Sequence, residues 1–316
     1  MPDMFSLVIP VYKNEVSLER LLSEIVNLCR RLPGELEVVF VVDGSPDRSD
    51  QVLRRLLPGL PVRSRLLLLS RNFGSFAAIS AGLAAAQGDY FAVMAADLQD
   101  PPELAERFFE SLRQDEADIV FGVRSGRGDP LLTVLTSNLF WALYRAFVIP
   151  EMPKGGIDVF GCNRTARDCL LRFPEAQTNL IALLFWMGYR RRYFEYRRQP
   201  RTAGKSAWTL GKKIRYFLDS IFNFTDLPVK LLLYLGTVAL VLSLAVAFIV
   251  VSAKLLGNIA VPGYVPTVLA ILSFGSLLSL GLGILGQYLW LTLQNARGRP
   301  AYIVSEQATF DKRSDS

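Results

Sequence analysis

The stretch Val93-Met94-Ala95-Ala96-Asp97-Leu98-Gln99-Asp100-Pro101-Pro102-Glu103 marks the point where an apolar run gives way to carboxylates. Residues 90–95 predict a buried strand, and the proline pair suits the first turn of a helix. Asp97 and Gln99 are therefore predicted at the carboxyl edge of a strand, where ligands bind in an open α/β sheet. Their oxygens, two residues apart, can share a hard cation such as Mg²⁺ or Mn²⁺. A solvated loop with a helix cap is the alternative interpretation of so short a pattern.

Composition divides the chain into a soluble and an apolar part. The chain has 316 residues, of which 51% are hydrophobic, so one sizeable soluble domain and a lipid-facing segment both fit. Between Lys230 and Arg297 the only charged residue is Lys254, whereas residues 1–229 have the composition of an ordinary α/β protein. The first residues lack the basic region and apolar core of a secretory signal, so we expect none.

The cysteine and histidine contents exclude several kinds of site. The three cysteines are scattered without metal-ligand spacing, which favours a reducing compartment and argues against a disulfide scaffold. Because histidine is absent, His-based zinc sites and Ser-His-Asp triads are excluded. Acid-base or metal chemistry must use carboxylates, amides, Lys, Arg or Tyr.

The first 124 residues alternate between strand and helix patterns. The predicted strands are 5–11, 36–42, 65–69, 90–95 and 119–123, and the predicted helices are 18–32, 49–57, 74–86 and 101–114. This alternation predicts an α/β fold with a mainly parallel sheet, helices on both faces and right-handed crossovers. The strands would bring a series of polar residues to one rim, namely Tyr12, Glu15, Asp43, Arg71, Asn72, Asp97, Gln99 and Arg124. Such a rim suits the handling of phosphates and nucleotides better than a set of plain turns does.

Four segments at these strand ends resemble the successive motifs of family-two GT-A glycosyltransferases. They are Val8-Ile9-Pro10-Val11-Tyr12-Lys13-Asn14-Glu15, Val42-Asp43-Gly44-Ser45-Pro46-Asp47, Ser70-Arg71-Asn72-Phe73-Gly74 and Asp97-Leu98-Gln99-Asp100-Pro101-Pro102-Glu103. More narrowly, the chain resembles the polyprenyl-phosphate branch, which includes dolichol-phosphate-mannose synthases and bacterial undecaprenyl-phosphate glycosyltransferases. The similarity continues through Gly155-Gly156-Ile157-Asp158, residues 198–208, both apolar spans and Arg297-Gly298-Arg299-Pro300-Ala301-Tyr302.

The resemblance implies a GT-A domain over residues 1–205 that binds a nucleotide-diphosphate sugar. The implied nucleotide-binding residues are Pro10, Tyr12, Asn14, Glu15, Asp43, Arg71 and Asp97. Asp97 and Gln99 would hold Mg²⁺ or Mn²⁺ on the diphosphate. The sequence departs from the family pattern at Val42 and Ala95, where the family usually has aspartates, and at Asn14, where a glutamate often stands.

The resemblance also implies residues for catalysis and for the acceptor. Asp158 matches the acidic residue that the family places beside the reacting centre; a plain loop carboxylate after a glycine pair is the alternative. The implied acceptor and phosphate-binding residues are Arg124, Arg127, Arg201 and Lys205. An acceptor that is a phosphate monoester has a second pKa near about 6, so it is already an anion at neutral pH and needs little deprotonation.

The segment before the apolar part is basic and aromatic. Residues 196–218 contain no acidic residue, and a helix over about 209–224 would place apolar side chains on one face and lysines on another, as an interfacial helix does. We assign residues 206–228 to such a juxtamembrane segment. Nucleic acid is the competing partner for a basic patch, but a patch that runs into an apolar span favours lipid phosphate, so no nucleic acid partner is expected.

Two apolar segments, about 231–253 and 264–290, are long enough to cross the roughly 30 Å hydrocarbon layer. They would form a two-helix transmembrane hairpin over 229–293, and 294–316 would be a cytoplasmic tail; a buried soluble hairpin is the alternative. Ten Lys and Arg residues lie in 190–215, which predicts a multi-pass protein of the cytoplasmic (inner) membrane with its catalytic domain and both termini cytoplasmic. A homo-oligomer is compatible with the sequence.

The predicted function is metal-dependent, inverting transfer of one sugar from a nucleotide-diphosphate sugar to a polyprenyl phosphate (undecaprenyl or dolichyl phosphate). Two alternatives stay open. One is transfer to another lipid such as diacylglycerol, whose neutral hydroxyl would need a real general base. The other is a degenerate nucleotide-sugar-binding scaffold, which the departures at Val42 and Ala95 favour.

Overall fold

An eight-stranded sheet forms the centre of the larger of two structural units. The computed structural model describes residues 3–124, 141–142, 144–146, 148–153, 156–173, 179–197, 199, 218, 220–222, 225, 227–255 and 263–312. The chain divides into a unit of Met1–Tyr216 with Pro300–Ser316 and a unit of Phe217–Arg299. The strands are β1 (Met4–Val11), β2 (Glu35–Val42), β3 (Arg63–Leu69), β4 (Tyr90–Val93), β5 (Ile119–Arg124), β6 (Ile157–Asn163), β7 (Arg191–Tyr196) and β8 (Val304–Phe310).

The sheet is mainly parallel, as the alternation predicts. Its strand order is β7-β5-β6-β4-β1-β2-β3-β8. Four neighbouring pairs are parallel (β1/β2, β1/β4, β2/β3 and β5/β7), and three are antiparallel (β4/β6, β5/β6 and β3/β8). The chain leaves β1 towards β2 and β3 on one side and returns to β4 on the other, so the two sides of β1 form the switch point at which open α/β sheets bind ligands.

Helices connect the strands in the predicted order. In the larger unit they are α1 (Leu18–Arg31), α2 (Ser49–Leu56), α3 (Ser75–Ala85), α4 (Pro102–Arg113), α5 (Arg164–Leu170) and α6 (Leu180–Trp186), and a 3₁₀ turn covers Leu57–Gly59. The apolar face of α1 is buried because Leu18, Leu21, Leu22 and Ile25 recur at helical spacing. Helix α3 is built of small residues, and a Cβ at Gly82 would lie 2.3 Å from Val8 Cγ1, so the glycine permits close packing on β1.

Strand β4 is shorter than the predicted strand 90–95. Its ladder with β1 ends at Val93, which pairs with Val8, and the amide of Met94 adds one last hydrogen bond to Val8 O. Pro10 is on the side of β1 that faces β4, but it lies beyond the end of this ladder. Its lack of an N–H group therefore leaves no backbone group of β4 without a hydrogen-bond partner.

Strand β8 comes from the segment that the sequence assigned to a tail. It pairs antiparallel with β3, and Arg54 of α2 donates two hydrogen bonds of 2.7 and 2.6 Å to the Glu306 carboxylate. The sequence gives no local signal for this strand because its residues are largely exposed and its partner lies far away in the chain.

A buried polar network lies on the side of the sheet that α3 covers. The Glu37 carboxylate is fully buried; its Oε1 accepts hydrogen bonds from Ser6 Oγ (2.6 Å), from the amide of Gly88 (3.2 Å) and from the amide of Gln87. Its Oε2 lies 3.6 Å from Nε of the buried Arg65. Glu37 therefore links the amino-terminal parts of β1, β2 and β3 to the turn that precedes β4.

The second unit contains two long helices, α7 (Leu227–Leu255) and α8 (Tyr264–Ala296). They cover the two apolar segments predicted at 231–253 and 264–290. When only the described residues are considered, no helix has the combined length and hydropathy of a membrane span. The predicted interfacial helix at 209–224 lies outside the described residues except at 218 and 220–222.

Replacing Glu37 by alanine is expected to destabilise the full-length protein by about 3–5 kcal/mol, because it leaves the Arg65 guanidinium buried without its anion. Urea unfolding followed by circular dichroism measures the change. Glu35→Ala is the matched control, since this glutamate is exposed on the same strand and should change stability by less than about 0.5 kcal/mol. Equal effects of the two substitutions would contradict the assigned role.

Candidate active site

Strand direction gathers most of the predicted site residues at one edge of the sheet. Strands β1 to β4 run parallel, and β5 has the same direction because β6 is antiparallel to both β4 and β5. The residues that end or follow these five strands are Tyr12, Asp43, Arg71, Asp97 and Arg124. The antiparallel β6 starts at this edge, so it brings the backbone of Asp158 there, between β4 and β5. We call this edge the rim.

The loop after β1 is held by hydrogen bonds with the loop after β2. Tyr12 is exposed at 39%, and its amide donates to Asn14 Oδ1 at 3.0 Å. The next residue, Lys13, has a φ of 59°, and its amide donates to Ser45 Oγ at 2.8 Å. The Glu15 carboxylate accepts from the amide of Arg48 at 3.1 Å. The predicted nucleotide-binding residues Tyr12, Asn14 and Glu15 thus lie on a loop of defined shape.

Asp47 is the centre of this arrangement, and no role was predicted for it from the sequence. Its Oδ2 accepts from the amide of Glu15 at 3.1 Å, and its Oδ1 accepts from Ser45 Oγ at 2.6 Å and Ser49 Oγ at 2.7 Å. Burial alone would raise the pKa of Asp47, but these hydrogen bonds outweigh it and lower the pKa. The ionised form therefore stabilises the loop at neutral pH, and this stabilisation is lost only as the pH falls through the lowered pKa. The serines two residues before and after Asp47 were the available sequence signal.

Asp43 holds the start of α3. It is 3% exposed, and its Oδ1 and Oδ2 accept hydrogen bonds from the amides of Phe73 (2.7 Å) and Gly74 (2.9 Å). A Cβ at Gly44, where φ is 55°, would lie 2.4 Å from the carbonyl carbon of Arg71, so only glycine fits. The exposed Arg71 guanidinium lies 4.0 Å from the centre of the Phe73 ring. The predicted nucleotide-binding residues Asp43 and Arg71 are thus neighbours, and both carboxylate oxygens of Asp43 serve the backbone.

The turn after β4 carries the predicted cation ligands. Leu98 has a φ of 56°, and the amide of Gln99 donates to Asp97 Oδ1 at 3.3 Å, which closes a tight turn around Leu98. Ser17 of the neighbouring loop donates to Ala96 O at 2.9 Å. Among the described residues, no group of three or more Cys, Asp or Glu side chains is arranged to hold a metal ion. The oxygens of Asp97 and Gln99 nevertheless suit Mg²⁺ or Mn²⁺, which are commonly bound by one or two protein ligands together with substrate phosphates and water.

The structure describes only some of the predicted residues at the part of the rim formed by β5 and β6. Arg124 ends β5 and is half-buried. The β5/β6 ladder shifts register at this end: Gly122 pairs with Val159 and Val123 pairs with Ile157, so Asp158 is the extra residue of a β-bulge. Bulges often redirect side chains beside active sites. The predicted phosphate-binding residues Arg127, Arg201 and Lys205 lie outside the described residues.

Comparison with solved structures confirms the predicted GT-A fold. Glucosyl-3-phosphoglycerate synthase from Mycobacterium tuberculosis, in complex with Mn²⁺, uridine diphosphate and phosphoglyceric acid, superposes with a TM-score of 0.51 at 19% identity. The match covers 71% of this chain and 80% of that chain. At this identity the similarity establishes the fold alone.

Sequence comparison gives relatives of similar length and confirms the resemblance to the polyprenyl-phosphate branch. An uncharacterized glycosyltransferase of Synechocystis sp. is 33% identical over 304 residues, 95% of this chain and 94% of the relative. The bactoprenol glucosyl transferase of Shigella phage SfV is 30% identical over 304 residues, 96% of this chain and 98% of the relative. A prophage bactoprenol glucosyl transferase homolog of Escherichia coli is 30% identical over 301 residues, 95% of this chain and 97% of the relative. Residues 6–167 match the model of "Glycosyl transferase family 2", and the chain therefore belongs to this glycosyltransferase family.

Proposed function

We propose that the protein transfers one sugar from a nucleotide-diphosphate sugar to a polyprenyl phosphate at the cytoplasmic face of a membrane, with inversion at the anomeric carbon. The observation that carries the proposal is similarity over 95% or more of the chain to proteins named bactoprenol glucosyl transferases, since bactoprenol is a polyprenol. The rim supports it by presenting polar groups suited to the donor.

The part of the rim formed by the loops after β1, β2 and β3 would bind the donor. The exposed Tyr12 ring offers a surface for the base, and Asn14 and Glu15 offer polar groups for the ribose. Because this loop is held through Asp47, little of its conformational entropy would be lost when the nucleotide binds. Arg71, stacked on Phe73, would place a positive charge near the phosphates.

Asp97 and Gln99 would hold Mg²⁺ or Mn²⁺ against the donor diphosphate. Solved structures that share the fold contain Mn²⁺ with UDP or UDP-glucose, which supports a divalent ion beside the donor diphosphate. A divalent ion supplies Lewis-acid stabilisation of the charge that develops on the leaving diphosphate. Because Ala95 replaces a third oxygen ligand, the protein would bind the ion weakly until the donor phosphates complete the coordination.

The part of the rim formed by β5 and β6 would bind the acceptor. A phosphate monoester is already an anion at neutral pH, so Asp158 would orient it or take up a proton transiently rather than act as a strong base. Arg124, with Arg127, Arg201 and Lys205, would offset the charge of two phosphorylated substrates in one site. An inverting displacement requires the acceptor to attack opposite the leaving diphosphate. Asp158 lies at the start of β6, the strand between β4 and β5, and would act at this end of the sheet.

One experiment tests the proposal against the two alternatives. Membranes containing the protein are incubated with a panel of labelled nucleotide sugars, with and without added polyprenyl phosphate, and lipid products are separated by chromatography. We expect label in a polyprenyl-phosphate sugar with one donor only. Label in a diacylglycerol product would indicate the other acceptor class, and donor binding without any product would indicate the scaffold.

Asp97→Asn is expected to lower turnover at least about 100-fold, because the loss of a charged ligand forfeits several kcal/mol of Lewis-acid stabilisation. Wild type should bind Mn²⁺ weakly alone, and metal and donor should tighten each other's binding by the same factor. Ala95→Asp should raise Mn²⁺ affinity in the absence of donor. Calorimetry measures the affinities.

The matched control for this set is Asp115→Asn, which makes the same change at an exposed site away from the rim. Full wild-type activity in excess chelator, together with an active Asp97→Asn variant, would refute the metal-dependent mechanism.

We further propose that the second unit is the predicted two-helix membrane hairpin. The proposal rests on the full sequence, in which Lys254 is the only charged residue between Lys230 and Arg297. Helices α7 and α8 have 29 and 33 residues, and both are predominantly apolar. A membrane anchor would keep the rim near a lipid-borne acceptor and raise its effective concentration.

Cysteine labelling in whole cells tests the topology. A cysteine replacing Asn258, between the two helices, should react with an impermeant thiol reagent, whereas one replacing Ser305 should react only after the cells are opened. The signal of the unsubstituted protein corrects for Cys29, Cys162 and Cys169. Labelling of Ser305→Cys but not Asn258→Cys in intact cells would reverse the proposed orientation.

A further inference from the structure

The turn that carries the predicted cation ligands is attached to a distant strand. Tyr196, the last residue of β7, donates its hydroxyl to Asp100 Oδ1 at 2.7 Å, and both side chains are buried, at 5% and 1% exposure. In the sheet, β7 is separated from β4 by β5 and β6. The bond therefore joins the loop after β4 to β7, the outermost strand on that side of the sheet. A carboxylate as deeply buried as Asp100 requires such partners.

The position of the Tyr196 ring is fixed by its neighbours. Tyr196 belongs to the apolar core, and a Cβ at Gly122 of β5 would lie 3.2 Å from its Cε1, so the missing side chain makes room for the ring. Helix α4 lies against the same strand, where Arg107 Nη1 donates to Glu195 O at 3.4 Å and Phe108 packs on Phe194. The hydroxyl of Tyr196 thus reaches Asp100 from a rigid support.

A second contact reinforces the first at the neighbouring residue. The amide of Gln199 donates to Gln99 O at 2.9 Å, and Gln99 Nε2 lies 3.4 Å from Gln199 O. Gln99 is 8% exposed, so its amide plane has little freedom. Since Nε2 of this planar amide is directed to Gln199 O, the remaining polar atom, Oε1, is the one suited to a cation.

We propose that Tyr196 is a positioning residue that acts through Asp100 to hold Asp97 and Gln99 in the geometry needed to bind a divalent cation. The inference rests on the proposed function. Asp100 serves as the anchor of the turn and not as a ligand. With only two protein ligands, the affinity for the cation depends on how well these ligands are preorganised. Each rotatable bond that becomes fixed when the cation binds costs entropy and lowers the affinity.

Tyr196→Phe tests the proposal because it removes one hydroxyl and keeps the ring. Mn²⁺ binding is measured by electron paramagnetic resonance on the full-length protein, with Mn²⁺ alone and with Mn²⁺ and UDP. We expect the dissociation constant of Mn²⁺ to rise roughly tenfold, as loss of a hydrogen bond to a charged group implies. Tyr193→Phe, on the same strand with its side chain 42% exposed, is the matched control and should leave Mn²⁺ affinity unchanged.

A second pair of variants separates positioning from general stability. Asp100→Asn keeps an oxygen that can accept from Tyr196 and should retain more Mn²⁺ affinity than Asp100→Ala. Loss of thermal stability in Tyr196→Phe without a change in Mn²⁺ affinity would overturn the proposal, as would an equal loss of affinity in Tyr193→Phe. Failure of wild type to bind Mn²⁺ under both conditions would also overturn it. If wild type binds Mn²⁺ but transfers no sugar, the proposed function fails and the positioning role stands on the binding data.

Discussion

Backbone amides at the ends of the strands need partners, and carboxylates supply them throughout the larger unit. Asp43 accepts from two amides at the start of α3, Asp47 accepts from the loop after β1, and Glu37 accepts from the turn before β4. Each bond joins segments that are far apart in sequence. The loops of the rim are short and polar, and without these acceptors their amides would need water instead of a fixed partner. The shape of the rim depends on the bonds of Asp43 and Asp47, whereas Glu37 holds the opposite ends of the strands.

This dependence assigns different tasks to acidic residues that look alike in the sequence. Asp43 accepts from the amides that precede α3, and Asp47 holds the loop after β1. Asp97 lies on the tight turn after β4, where its Oδ1 accepts from the amide of Gln99 at 3.3 Å, and its proposed role is to bind a cation. Asp100, three residues later, is tied to Tyr196. Among the described carboxylates near the rim, Asp43, Asp47 and Asp100 thus support the structure around them.

The local patterns predicted the parallel half of the sheet well. Apolar runs and helical spacing identify β1 to β5 and α1 to α4, and the parallel direction of these strands places Tyr12, Asp43, Arg71 and Asp97 at one edge. Strands β6, β7 and β8 were not predicted, because their pairing joins segments far apart in the chain and β8 is mostly exposed. The roles of Asp47 and Asp100 were also missed, since a hydrogen bond between distant residues, such as that from Tyr196, leaves no periodic signal. The family resemblance supplied the site residues, and the structure adds how the described ones are supported.

Strand β8 has a consequence for the order in which the molecule is made. Ser305 of β8 donates to Leu68 of β3 across 237 residues, and both long apolar helices are synthesised between these positions. At about 5–20 residues per second, the outer edge of β3 waits on the order of 10–50 s for its partner after it leaves the ribosome. During that interval the nascent sheet presents an open edge that invites pairing with other chains. Strand β8 therefore protects the larger unit against aggregation, and a ribosome that stops after the second long helix releases a chain whose sheet is unfinished.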